Sequence, residues 1–90
     1  MRNEEDAEEL PTERLCLRVA AELEPSALPR ILHQFQNLNI IPRRVIAERD
    51  TAHTLHIRVD IVGLTEDRLT LIASKVGQLP GVGNAYWHRL

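Results

Sequence analysis

The chain has 90 residues, of which 27% are charged and only 3% aromatic, with one cysteine and a formal net charge of −2 at pH 7. That length makes one domain with a modest core, and the balanced charge argues against nucleic acid or an anionic membrane as partner, since each needs a basic excess. Cys16 alone forms no disulfide framework and no cysteine-based metal site, and it fits a reducing, cytoplasmic setting, while no apolar run approaches the length of a membrane span.

Residues 1–13 are polar and acidic, and their composition predicts a mobile tail ahead of a domain over residues 14–90. A first strand is predicted over about residues 15–21. Leu15, Leu17, Val19 and Ala21 point to one side of it, and Cys16, Arg18 and Ala20 to the other. Leu28, Ile31, Leu32, Phe35 and Leu38 then recur at helical spacing and mark the apolar stripe of a first helix. Ser26 is its expected N-cap, with the hydroxyl accepting from a free backbone N–H, and Pro29 falls in the first turn where a missing N–H costs nothing. Asn37 and Asn39 suit a left-handed C-terminal turn.

A second strand is expected over about residues 43–49. Pro42 and the arginines around it suit a sheet edge, where unpaired backbone is either protected or used. A turn over residues 50–53 leads into the strongest strand, 54–62, with Leu55, Ile57, Val59 and Ile61 inward and His56, Arg58 and Asp60 outward. Leu69, Ile72, Ala73, Val76 and Leu79 repeat the stripe of the first helix, after Thr65 as N-cap and with Glu66 and Asp67 at the positive end of the helix dipole. Leu79, Pro80 and Gly81 stop this second helix, and a last strand covers about residues 82–89. Two β-α-β units of equal period therefore fill the chain. That is the signature of an α+β, ferredoxin-like βαββαβ sandwich, a four-stranded antiparallel sheet with both helices on one face. The uncovered face and the edge strand bearing Ile46 give the domain a reason to pair as a homodimer.

Few residues point to chemistry. No glycine-rich phosphate loop, nucleophile elbow or paired-carboxylate motif occurs, so the chain reads as a non-enzyme with no catalytic residue, no metal and no cofactor. His56 and His88 share the open sheet face with Arg58 and Asp60; a metal or acid–base cluster there competes with the plainer reading of a polar surface facing solvent or a second copy. His33 reads as an exposed helix residue and His53 as a turn residue. Base stacking on RNA needs aromatics on the central strands, and here those strands carry none. Tyr86 and Trp87 point to opposite faces of the last strand, so one packs and the other is exposed.

The run Glu22-Leu23-Glu24-Pro25-Ser26-Ala27-Leu28-Pro29-Arg30-Ile31, between a strand and a helix, resembles the start of an ACT domain. That family has Asn or Asp after the strand, then Pro-Gly or Ser-Gly, then a helix opening Ala-Leu. The likeness continues through Phe35, Ile40 and the run Gln78-Leu79-Pro80-Gly81-Val82, over roughly residues 15 to 88. It implies a regulatory module that dimerises and binds a small effector, commonly an amino acid, beside this loop, where helix N-terminal N–H groups suit a carboxylate. In length the chain is similar to the short regulatory subunits of acetolactate synthase, which implies a catalytic subunit of amino-acid biosynthesis as partner. The effector residues implied are Leu23, Glu24, Pro25, Ser26, Ala27 and Ile41. Three of them depart from the family pattern: Leu23 replaces a polar Asn or Asp, Ser26 a Gly, and Ile41 an Asn that reaches the ligand. A dimerisation scaffold that binds no small molecule is the alternative these departures leave open.

Overall fold

In a computed structural model of the protein, which describes residues 14–90, the expected elements follow one another as β1 (Arg14–Glu22), α1 (Ala27–Asn37), β2 (Arg44–Arg49), β3 (Thr54–Val62), α2 (Glu66–Gly77) and β4 (Val82–Arg89). The acidic tail read at residues 1–13 lies outside the described residues. The strands form one antiparallel sheet in the order β2-β3-β1-β4, so β1 and β3 are central and β2 and β4 are edges. This is the ferredoxin-like βαββαβ arrangement.

Strict alternation on β1 and β3 builds the core. Leu15, Leu17 and Val19 of β1, with Ile57, Val59 and Ile61 of β3, are buried against Ile31 and Phe35 of α1 and Leu69, Ile72 and Val76 of α2. Each such aliphatic side chain contributes roughly 1.5–3 kcal/mol by leaving water. Trp87 packs at the edge of this core and its Nε1–H donates to the Thr70 hydroxyl at 2.8 Å, while Tyr86 is exposed.

The two helix starts differ. Thr65 is extended (φ −74°, ψ 155°) and its hydroxyl accepts from the Arg68 N–H at 3.2 Å. Ser26 has helix-like angles (φ −83°, ψ −8°) and caps nothing with its side chain, against the expectation for α1. Two causes combine. An N-cap hydroxyl is aimed at the first turn by an extended backbone, and the residue three along, one of the two whose N–H it could take, is Pro29. Asn39 does adopt the left-handed conformation (φ 59°), and Gly81 does the same (φ 84°) where α2 turns into β4.

The register arranges the face without helices in rows across the sheet. Arg44, Asp60, Cys16 and His88 form one row; Ile46, Arg58, Arg18 and Tyr86 the next; Glu48, His56, Ala20 and Asn84 the third. Both Cys16 (0% exposed) and Asp60 (2%) are buried on this face. On the other face the helices do not reach β2. No residue of β2 is buried, and Val45, on its helix side, is 38% exposed.

Candidate functional site

Residues 23–27 form the turn from β1 into α1. The Leu23 N–H donates to the His53 carbonyl at 3.1 Å, which ties this turn to the β2–β3 turn, and the Ala27 N–H donates to the Glu24 carbonyl at 3.1 Å. Leu23 packs against the core, Ala27 is buried, and Glu24, Pro25 and Ser26 face solvent. The Ser26 hydroxyl donates to the Glu24 carboxylate. Arg30, one turn into α1, reaches the same carboxylate at 3.3 Å and also donates to the Pro80 carbonyl at 3.1 Å. Glu24, Ser26, Arg30 and Pro80 thus close the turn against the α2–β4 connection, and the narrow cleft between them holds no open space for a water-sized body. Arg30 Nε is buried there without a hydrogen-bond partner.

Ile41 lies elsewhere. The turn sits at the start of α1 and Ile41 beyond its end, so the eleven residues of the helix separate them by about 16 Å at 1.5 Å per residue. Within one chain the six expected effector residues do not meet. Ile41 is 88% exposed and lines an apolar groove of about 550 Å³ with Leu32, Phe35, Ile40, Pro42 and Val45. The groove is walled by the end of α1 and by the uncovered side of β2.

The charged residues of the open face meet in pairs. Arg58 binds Asp60 with both arms of its fork, Nε to Oδ1 at 2.8 Å and Nη2 to Oδ2 at 3.2 Å. That bond is the main reason the Asp60 carboxyl titrates below the usual carboxylate range and the Arg58 guanidinium above its own. His56 meets Asp50 at 3.0 Å and holds that carboxyl low as well. Burial, reinforced by the neighbouring Asp60, pushes the Cys16 thiol up, the opposite of what a nucleophile needs. Arg18 donates from Nε to His88 Nε2 at 3.0 Å. Among the described residues no group of three or more His, Cys, Asp or Glu is placed to hold a metal ion, and no described helix is long and apolar enough to cross a membrane.

Sequence reasoning missed Arg30, Arg18 and Val45. The first had a local signal, a cation six residues after the Glu24 carboxylate. For Arg18 there was none, because its partner His88 is 70 residues away. Alternation puts Val45 and Ala47 on one side of β2 without saying which, and only the reach of the helices leaves Val45 bare.

Comparison with known proteins agrees with this fold. Among solved structures, the C-terminal domain of the MgtC protein from Mycobacterium tuberculosis superposes with a TM-score of 0.70 at 16% identity, over 88% of each chain. The ACT domain of the GTP pyrophosphokinase of Chlorobium tepidum gives 0.71 at 14% identity, over 86% of this chain and 99% of that one. A homoserine dehydrogenase from Thiobacillus denitrificans gives 0.71 at 19% identity, over 91% of this chain but only 18% of the enzyme. At these identities the likeness is one of fold. No curated protein matches the chain. A family model described as an ACT-like domain matches residues 11–89, nearly the whole chain, and with the βαββαβ topology this places the protein in the ACT-like domain family.

Proposed function

We propose that this protein is a non-catalytic regulatory module that pairs through β2 and binds a small amino-acid effector between two copies, so controlling an enzyme of amino-acid metabolism. The observation that carries the reading is the bare β2 edge beside the apolar groove at Ile41 and Val45. An unpaired edge strand with apolar side chains on its uncovered side is a surface that pairing would bury. If two β2 strands pair antiparallel about a two-fold axis, the Ile41 end of one copy comes to the 23–27 end of the other. The six effector residues, split between opposite ends of one chain, then belong to one composite site. Arg30 supplies the cation for an effector carboxylate, which would displace Glu24 and could use the unpartnered Nε. A catalytic subunit similar to that of acetolactate synthase is the partner the sequence resemblance favours.

A pairing scaffold without ligand is the second reading. It is favoured by the closed cleft at the turn, where Glu24 already occupies the carboxylate position beside Arg30. Light scattering combined with calorimetry against the twenty amino acids separates the two. A dimer that binds one of them supports the effector module, and a dimer that binds none supports the scaffold. A monomer well above micromolar concentration overturns both.

A further inference from the structure

We propose that the helix-free face of the sheet is a second ligand site, apart from the 23–27 turn, and that it takes a phosphate-class oxyanion between Arg18 and Arg58. These arginines stand directly opposite each other across the β1–β3 ladder. Like charges in that position repel and destabilise a sheet unless something answers them. The answer within the chain covers one of the two. Arg58 is neutralised by Asp60, whose two oxygens are both engaged. Arg18 is held by a neutral acceptor. His88 Nδ1 lies 2.9 Å from the Arg89 carbonyl and can only donate to it, which leaves Nε2 as the acceptor for the Arg18 Nε–H. Arg18 is thus aimed but not neutralised, and its terminal nitrogens have no acceptor among the described residues.

Both arginines line a depression of about 410 Å³, a size suited to a small ligand. His56, Asn84, Tyr86 and Ile46 line it too, and Glu48 is the one carboxylate on its wall. The charge of the described residues is favourable. One of the 11 Lys and Arg but six of the 13 Asp and Glu precede Arg14, which leaves ten basic against seven acidic side chains from there on. The net charge of the whole chain conceals this.

Geometry selects the class of ligand. One guanidinium fork saturates the two oxygens of a carboxylate, whereas donors arriving from two adjacent strands match the three or four oxygens of a tetrahedral anion. Asn84 and Tyr86, which also line the depression, carry further donor groups.

Calorimetry of the full chain with inorganic phosphate, pyrophosphate and acetate tests this. Saturable phosphate or pyrophosphate binding is expected, weaker at higher salt and stronger than acetate binding. Arg18→Gln, which leaves the Arg58–Asp60 pair in place, should weaken it at least about tenfold, the scale of a lost charge-assisted hydrogen bond. Glu48→Gln changes an exposed residue, threatens the fold least, and should tighten it. No saturable binding by the wild-type chain, acetate binding as tight as phosphate, or unchanged affinity in Glu48→Gln or in folded Arg18→Gln would each overturn the proposal.

Discussion

Arg58 and Asp60 lie two residues apart on β3, on the same face, and the guanidinium meets both carboxylate oxygens, at 2.8 and 3.2 Å. The carboxylate is almost wholly buried and the guanidinium about a third exposed (3% and 32%). Asp60 therefore needs its partner more than Arg58 does, since an unpaired buried charge is costly.

The pH dependence follows from the direction of the shift. The Asp60 carboxyl titrates lower in the folded protein than the roughly 3.9 of an unfolded Asp. Its contribution to stability is present above that unfolded value and is lost as pH falls through the lower folded one. Urea midpoints should hold from neutral pH down to about 5 and drop below about 4. Asp60→Asn should lower the midpoint at pH 7 and flatten the acid limb; an acid limb as steep as in wild type would show that other carboxylates carry it.

The two helix starts predict opposite sensitivities. Thr65→Ala removes a hydroxyl that accepts from the Arg68 N–H and should cost about 1 kcal/mol. Ser26→Ala removes only an exposed contact to Glu24 and should stay within about 0.5 kcal/mol. Urea unfolding followed by the fluorescence of Trp87, the one tryptophan, measures both. Equal costs would mean that Ser26 does cap α1.

Gly81 has φ 84° at the α2–β4 turn, and a Cβ there would approach Glu22 Oε1 to only 3.5 Å. Space is adequate, so the cost of Gly81→Ala should be conformational, about 1–2 kcal/mol. A neutral result would indicate that the turn relaxes to another conformation.

Val45→Lys places a charge on the exposed helix side of β2, at the mouth of the groove rather than inside the buried core. Monomer stability should change by no more than about 0.5 kcal/mol, while the proposed dimer should dissociate in light scattering. A dimer that survives the charge places the pairing surface away from β2.

By itself the sequence determined what depends on nearest neighbours along the chain. Alternation in β1 and β3, the stripes of α1 and α2, the Thr65 cap and the left-handed Asn39 are local geometry, and periodicity reports local geometry directly. Pro29 also held a local signal against the Ser26 cap, since it removes one of the two N–H donors an N-cap hydroxyl can use. Tertiary structure alone decided which side chains meet. Arg18 faces Arg58 and reaches His88 because of strand register, itself set by turn lengths and by the shift at Ala20/Ala21. Cys16 and Asp60 alternate outward and are nonetheless buried. Ile41 and the 23–27 turn fall at opposite ends of α1, because a helix separates what it joins by its own length. No residue type encodes such distances; the packed arrangement of all the elements does.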